Sequence, residues 1–467
     1  MWRAGLSGGR AARERPHPIE SVMRYTQLTS GDVSHMLRRI GVRSIEDLFR
    51  DVPEARRLRR PLDLPEALSE MELLSHLDSL ARKNHGCDER VCFLGGGAYD
   101  HFIPAVVDAL AGQSEFVTAY TPYQAEASQG SLQAFYEYQT LICQLTGMDV
   151  SNASLYDGAS AAAEAVMMAR AVTGRRRVIV SAAIHPDARQ VLATYVRNLP
   201  IDLVVVPTPD GRTDIEDLRR RINNDTAAVI VQSPNFFGVI EALEPAAAAA
   251  HGAGALLIAS VDPISCGLLK PPGACGADIV VGEGQPLGIP LSFGGPYLGF
   301  MACREEFVRR MPGRLVGATT DRDGRRGFCL TLQTREQHIR RERATSNVCT
   351  NQGLMALRAA VYLSAMGRMG MAKVASLCLE KAHYAADRIA ALDDFDLRFT
   401  APFFKEFVVR TKKDVPKVLE SARERGILAG LPLGRWYPER NDCVLVAVTE
   451  KRNKAEIDAL VDALREA

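Results

Sequence analysis

Short apolar runs alternate with amphipathic segments through the middle of the chain. The runs are almost continuously apolar, and helix-like stretches separate them. They cover residues 177–184, 201–208, 227–235, 255–262, 277–284 and 297–304. Near-continuous apolar strands between helices are typical of a mainly parallel sheet that is covered on both faces. The pattern therefore predicts a large α/β domain over residues 86–350.

Two different patterns flank this domain. Residues 23–85 predict short helices, and Ser69 and Glu72 have the spacing of a capping box at the start of one of them. A further helix leaves the large domain near residue 351. The strand-like and helix-like runs after it predict a smaller α+β domain, so the linking helix and this domain together occupy residues 351–467.

Composition narrows the class of protein. The formal net charge of +1 argues against a general role on nucleic acid or on a membrane surface, and no apolar stretch is long enough to cross a bilayer. The 10 cysteines form no CxxC pair and no Cys/His cluster at metal-ligand spacing, so we expect free thiols, no metal site and a cytoplasmic protein.

Residues 1–22 are rich in Arg, Gly and Pro without the apolar core of a secretory signal. They are expected to be a disordered extension or to precede a translation start at Met23, with a transit peptide as the less favoured alternative.

Candidate chemistry lies where the predicted strands end, because open α/β sheets bind ligands beyond the carboxyl ends of their strands. His185, Asp262 and Gln285 each follow a strand, and a small-residue turn at 157–165 precedes them. The N–H groups of this turn and the Ser160 hydroxyl could hold a phosphate. Each feature alone has an ordinary explanation as a helix start, a core histidine or a cap. Their order is that of pyridoxal phosphate enzymes, in which a lysine then binds the cofactor as a Schiff base.

The lysine that this order requires is missing. Gln285 stands at the expected position, and an amide cannot form a Schiff base. Between Lys83 and Lys373 the only lysine is Lys270, which we expect on a surface connection. The residues therefore indicate a cofactor-type fold without a cofactor anchor. A self-sufficient pyridoxal enzyme that uses Lys270 is the weaker alternative.

Three long motifs add a resemblance to a known family. They read FLGGGAYDHFIPAVV, TAYTPYQAEASQGSLQAFYEYQTLICQLTGMDVSNASLYDGASAAAEA and TLQTREQHIRRERATSNVCTNQ. From about Met23 to the C-terminus the chain resembles the P-protein family of the glycine cleavage system, in particular the amino-terminal subunits of its two-subunit bacterial form. The resemblance implies the aminotransferase-like fold (fold type I) of pyridoxal phosphate enzymes.

The resemblance also implies a function shared between two chains. In that family the second subunit carries the Schiff-base lysine and holds pyridoxal phosphate, and Gln285 falls at the lysine position here. The expected enzyme is glycine dehydrogenase (aminomethyl-transferring, decarboxylating), a heteromer. It decarboxylates glycine and passes the aminomethyl group to the lipoyl arm of the H-protein. The alternative is a catalytically silent scaffold or regulatory relative of pyridoxal phosphate enzymes.

No residue of this chain is assigned a catalytic role from the sequence. Candidate contributors to the partner's active site are aromatic or polar residues of Gly-rich and Pro-containing loops, where backbone approaches a ligand closely. They are Tyr99, Tyr120, Tyr123, Thr345 and Asn347. The alternative for the tyrosines is that they only pack the interface between subunits.

An arginine-dense stretch spans residues 309–343. It lacks the interleaved aromatic residues of a nucleic-acid site. A solvated face or a network of ion pairs between subunits is the main interpretation, and a docking surface for an acidic lipoyl carrier is the alternative.

Overall fold

The computed structural model describes the chain in four stretches, which are residues 28–58, 60, 62–348 and 350–467. Contacts divide the chain after Asn84 into two units. The predicted disordered extension at 1–22 lies outside the described residues. The predicted boundary between a large and a small domain at residue 350 stays a prediction, since the contacts divide the chain only at Asn84.

The first unit contains two helices, α1 (Ser30–Ile40) and α2 (Glu70–Ala81). The predicted capping box of α2 is confirmed: the Ser69 side chain accepts from the Glu72 N–H, and the Glu72 carboxylate accepts from the Ser69 N–H at 2.9 Å. None of the described residues in this unit is buried. The helices of this unit are therefore capped by neighbouring residues, but its described residues form no hydrophobic core.

The second unit is built around a seven-stranded sheet with the order β2-β8-β7-β6-β5-β3-β4. Its strands are β2 (Val150–Ser151), β3 (Arg177–Ser181), β4 (Asp202–Val206), β5 (Thr226–Gln232), β6 (Leu256–Ser260), β7 (Ile279–Glu283) and β8 (Gly299–Cys303). The strands β4, β3, β5, β6 and β7 are parallel, and β8 and β2 are antiparallel to their neighbours. The prediction of a mainly parallel sheet is confirmed.

Both faces of this sheet are buried, because successive side chains of each strand enter different core clusters. In β5, Val229 and Val231 lie in one cluster, and Ala228 and Ile230 lie in the other. Helices alternate with these strands, and several of them pack on the sheet. They are α3 (Ala105–Ala111), α4 (Ser114–Val117), α5 (Gln129–Thr146), α6 (Gly158–Thr173), α7 (Pro186–Val196), α8 (Ile215–Arg221), α9 (Leu243–Gly252) and α10 (Gln337–Arg340).

The long helix α11 (Gly353–Ala390) leads out of this sheet and is interrupted at Gly367, whose φ of +57° is left-handed. It leads to a four-stranded antiparallel sheet with the order β11-β12-β15-β14. These elements are β11 (Phe395–Leu397), β12 (Glu406–Thr411), β14 (Leu431–Pro432) and β15 (Cys443–Ala447), with helices α12 (Val415–Glu424) and α13 (Lys454–Glu466). Two short pairings complete the fold: β1 (Val91–Cys92) with β13 (Ile427–Leu428), and the hairpin of β9 (Leu315–Thr320) and β10 (Arg326–Thr331). Within the described ranges, no helix is both long and apolar enough to span a bilayer.

Candidate active site

A cavity of about 310 Å³ opens at the carboxyl ends of β3, β6 and β7. The loop Gly96–Tyr99 and residues 404–406, at the start of β12, also line it. Parallel strands bring their carboxyl ends to one edge of the sheet, which is where open α/β folds bind ligands. The sequence-predicted residues His185 and Asp262 both face this cavity.

His185 is held as one neutral tautomer. Its Nε2 donates to the Gly96 carbonyl at 2.7 Å, and its Nδ1 accepts from the Asp187 N–H at 3.1 Å, which caps helix α7. Burial lowers the pKa of the ring. A Cβ on Gly97, whose φ is +106°, would come within 3.1 Å of this ring, so the glycine loop packs directly against the histidine.

Asp262 is paired with a lysine that the sequence did not place here. Lys405 Nζ lies 2.7 Å from Asp262 Oδ2, and both side chains are nearly inaccessible to solvent. The same ammonium is 3.5 Å from the centroid of the Tyr99 ring. Lys405 lies outside the lysine-poor range between Lys83 and Lys373 and enters the cavity from the position before strand β12, and no local pattern in the sequence signals such a contact.

Behind Lys405, buried polar groups continue the network. Lys405 Nζ donates to His101 Nε2 at 2.9 Å, and His101 Nδ1 donates to Glu450 at 2.6 Å. Burial and the Lys405 charge lower the pKa of His101. Cys378 Sγ also lies 3.4 Å from the Glu450 carboxylate. The side chains of His101, Cys378 and Glu450 are of types that can bind a metal ion. Both nitrogens of the His101 ring are already hydrogen-bonded, one to the Lys405 ammonium and one to Glu450, so we interpret the group as a hydrogen-bonded network.

Tyr99 is buried in this same cavity. Its hydroxyl donates to Glu406 at 2.8 Å, and Glu406 also accepts from the Gly96 N–H at 2.7 Å. Burial raises the pKa of the Tyr99 phenol, so the group stays protonated, and it raises the pKa of Glu406 to about 7. Tyr99 thus lines this chain's own cavity and is hydrogen-bonded within it. Its contribution to the partner's active site stays a prediction.

The turn predicted to hold a phosphate is filled by carboxylates. The Ser160 hydroxyl and N–H both donate to Asp157. The Gly158 N–H, the first of helix α6, donates to Glu283 at 3.0 Å. Glu283 also accepts from the N–H groups of Gln285 and Leu298, each at 3.0 Å. The Gly158 N–H and both Ser160 donors of this turn are therefore bonded to carboxyl groups of the chain itself.

Gln285 is buried at the end of β7, and its amide bonds to backbone groups alone. Its Oε1 accepts from the Tyr99 N–H at 2.8 Å, and its Nε2 donates to the carbonyls of Tyr99 at 3.1 Å and Ile289 at 2.8 Å. The position is structural in this chain.

Pyridoxal phosphate therefore does not fit the cavity of this chain. Gln285 stands where we expect the anchoring lysine, and its amide cannot form a Schiff base. Asp262, the expected partner of the ring nitrogen, is paired with Lys405. The Gly158 and Ser160 N–H groups, expected to bind the phosphate, donate to Glu283 and Asp157. Lys270 offers no second anchor, since its side chain is more than half exposed and pairs with Glu244 at 3.1 Å.

Tyr120 and Tyr123 lie together at a different place. Both line a surface cleft, where Tyr120 is 86% exposed and Tyr123 is 50% exposed. The guanidinium of the buried Arg314 donates to the Tyr123 hydroxyl at 3.1 Å and stacks over its ring. The structure brings these two tyrosines together and leaves Tyr99 in the sheet-end cavity.

Thr345 and Asn347 lie on the segment that precedes α11. The Thr345 N–H donates to the Arg335 carbonyl at 3.4 Å, and the Asn347 side chain is exposed.

The arginine-dense stretch at residues 309–343 contains both buried and exposed arginines. Arg314 and Arg335 are buried, and the guanidinium of Arg335 donates to backbone carbonyls, including that of Gly313 at 3.0 Å. The remaining arginines of the hairpin tip are exposed.

Sequence reasoning missed Lys405, Glu283 and Glu406 as cavity residues. Glu283 carried a visible signal, because a glutamate between two glycines at a strand end lies two residues before Gln285. Lys405 and Glu406 carried none, since a lysine and a glutamate at the start of a strand are usually solvated.

Solved structures of low identity define the fold class. A sphingosine-1-phosphate lyase of Burkholderia pseudomallei superposes with a TM-score of 0.63 at 17% identity, over 89% of this chain and 94% of that one. A cysteine desulfurase of Escherichia coli gives a TM-score of 0.61 at 15% identity, over 83% and 97%. The fold is that of the fold type I pyridoxal phosphate enzymes, as predicted.

Closer relatives define the family. The family model described as glycine cleavage system P-protein matches residues 23–464. A crystal structure of glycine decarboxylase (P-protein) of the glycine cleavage system, in inhibitor-bound form, superposes with a TM-score of 0.88 at 47% identity, over 95% of this chain and 99% of that one. A probable glycine dehydrogenase (decarboxylating) subunit 1 of Moorella thermoacetica is 54% identical, and one of Desulforamulus reducens is 52% identical; each match covers 95% of this chain and 99% of the relative. The chain belongs to the P-protein family of the glycine cleavage system.

Proposed function

We propose that this chain is the subunit of glycine dehydrogenase (decarboxylating) that lacks the Schiff-base lysine. One observation carries the proposal: a P-protein chain has a sheet-end cavity of the cofactor fold, yet Gln285 takes the anchor position and bonds only to backbone. The relatives named subunit 1 support the same assignment.

A second subunit of the family then holds pyridoxal phosphate and completes the enzyme. When it is bound there, the cofactor supplies an electron sink for the loss of CO₂ from glycine. The aminomethyl group passes to the lipoyl arm of the H-protein, so glycine, the H-protein and the second subunit are the partners. We place this heteromer in the cytoplasm.

The apolar surface of residues 28–84 supports a heteromer. Large apolar side chains of this unit are exposed, and they include Met36, Ile40, Leu48, Phe49, Met71, Leu73, Leu74, Leu77 and Leu80. A chain segment with no buried residue cannot offset its ordering entropy unless something covers it. We assign this cover to the second subunit, since obligate interfaces are large and apolar.

The cleft of Tyr120 and Tyr123 is our candidate for a contribution to the partner's active site. Arginine can only donate, so the Tyr123 oxygen accepts from Arg314 and the Tyr123 hydrogen remains for another acceptor. A phenol fixed in this way suits the carboxylate of an amino acid substrate. Thr345 and Asn347 are further candidates on the segment before α11.

Reconstitution tests the proposal against its alternative. We expect no glycine–bicarbonate exchange, assayed with the lipoylated carrier, from this chain alone or from the lysine-bearing subunit alone, and full exchange from their mixture. A lysine-bearing subunit that is fully active by itself would leave this chain a scaffold or a regulator.

A further inference from the structure

The cavity of this chain contains two charges where a bound cofactor would place its own. Asp262, the strand-end carboxylate that would face a pyridinium nitrogen, faces the Lys405 ammonium at 2.7 Å. The first N–H of helix α6, which would face a phosphate, faces the Glu283 carboxylate at 3.0 Å. The Lys405 ammonium and the Glu283 carboxyl group, whose pKa burial raises to about 7, therefore lie at the two positions where pyridoxal phosphate carries a cation and an anion.

The backbone around Lys405 is held by hydrogen bonds and by a close packing contact. The Lys405 carbonyl accepts from the Val448 N–H at 2.9 Å, and the preceding Phe404 N–H donates to Gly238 at 3.1 Å. A Cβ on Gly238 would come within 1.8 Å of the Glu406 carbonyl, so the two segments touch through a glycine. The ammonium is also stabilised by the Tyr99 ring and by His101 Nε2.

Glu283 is fixed as firmly. Its carboxylate accepts three backbone N–H groups, from Gly158, Gln285 and Leu298. A Cβ on Gly158 would lie 2.8 Å from the Glu283 nitrogen, so no space separates the helix start from β7. A phosphate entering here would meet the Glu283 and Asp157 carboxyl groups, which already accept from the Gly158 and Ser160 donors, and negative charges at such distances repel.

We propose that Lys405 and Glu283 are specificity-determining residues that substitute for the charges of pyridoxal phosphate and close this cavity to it. The loss of the anchoring lysine is then not what excludes the cofactor. Restoring a lysine at position 285 leaves the ring-nitrogen site and the phosphate site occupied. The Lys405–Asp262 pair and the bonded Glu283 occupy this cavity without a ligand, which allows this chain to keep the fold of a cofactor enzyme without the cofactor.

The test uses the full chain with a lysine returned at Gln285. Where pyridoxal phosphate binds productively, the lysine amine condenses with its aldehyde and releases water. Borohydride then adds hydride to the C=N bond and leaves a stable secondary amine that is visible in the intact mass. We compare the wild type, Gln285→Lys alone, Gln285→Lys with Glu283→Gln, and Gln285→Lys with both Glu283→Ser and Lys405→Met, after incubation with pyridoxal phosphate.

We expect the wild type and Gln285→Lys alone to remain essentially unlabelled at position 285. Glu283→Gln in the Gln285→Lys background should raise the labelled fraction at least about tenfold, and the triple variant should raise it further. Full labelling of Gln285→Lys alone would overturn the proposal, because the missing lysine would then explain everything. Equal labelling of Gln285→Lys with and without Glu283→Gln would overturn it as well. The conservative Glu283→Gln variant provides this answer even if the triple variant does not fold. Only this chain and its own cavity are involved, so failure here leaves the proposed subunit role untouched.

Discussion

The Gln285 amide clamps the backbone of Tyr99 from both sides, accepting from its N–H at 2.8 Å and donating to its carbonyl at 3.1 Å. The position that would anchor a cofactor instead fixes the loop that carries Tyr99. Tyr99 in turn provides the ring beneath the Lys405 ammonium. The glutamine that replaces the expected Schiff-base lysine at position 285 therefore also stabilises the loop of Tyr99.

This clamp predicts a stability cost at position 285. Gln285→Ala removes three buried hydrogen bonds and takes away the acceptor of the Tyr99 N–H, while the Tyr99 carbonyl keeps the His101 N–H. We expect a loss on the order of 2–4 kcal/mol in the free energy of unfolding. Thermal and denaturant unfolding of the full chain measure it. Gln190→Ala, at an exposed site on α7, is the control that should change little; an equal effect of both variants would show that the clamp contributes nothing.

The buried Glu406 predicts a pH dependence of stability. Burial raises its pKa from 4.5 to about 7, so between these values the folded chain holds a proton that the unfolded chain has lost. This stabilisation is fully present below pH 4.5 and is lost as the pH rises to about 7. Glu406→Gln is uncharged throughout. From about pH 5 to about pH 8 the wild type should lose stability relative to this variant, by roughly 3 kcal/mol at most.

Melting temperatures of both proteins across that range provide the measurement. Glu424→Gln, at an exposed site at the end of α12, is the matched control. Its curve should run parallel to that of the wild type. Parallel curves for Glu406→Gln would mean that Glu406 ionises at its ordinary pKa.

The surface tyrosines predict a contribution to the rate of the assembled enzyme. If their hydroxyls contact glycine, Tyr120→Phe or Tyr123→Phe should cost about 1–3 kcal/mol, roughly 10- to 100-fold in exchange rate, with assembly intact. Tyr99→Phe in the same assay tests the predicted part of that residue. Tyr384→Phe, whose hydroxyl bonds Asp458, is the control. Full activity of all three Tyr→Phe variants would show that these hydroxyls do not contribute to the rate and that the tyrosine rings only pack.

The exposed face of α2 predicts a site of assembly. Leu77→Asp places a charge among leucines that we assign to the interface, so it should weaken association with the second subunit by at least about tenfold. Ser75→Asp, on the same helix, adds the same charge at a polar position and should have little effect. Sedimentation of mixed subunits measures both. Equal association of both variants would move the interface away from this helix.

Local sequence signals predicted most of the fold. The Ser69 capping box follows from neighbouring residues alone. The strand-end positions of His185 and Asp262 follow from the order of the elements. The pairing of Asp262 with Lys405 could not be predicted, because it depends on how β12 packs against the large sheet.

The location of the cofactor in the complete enzyme tests the account most directly. This chain and the lysine-bearing subunit are co-expressed, purified as a complex with pyridoxal phosphate, reduced with borohydride and weighed as intact chains. We predict the added phosphopyridoxyl mass on the lysine-bearing subunit and none on this chain. The same mass on this chain, whether at Lys405 in the cavity or at Lys270 on the surface, would contradict the account.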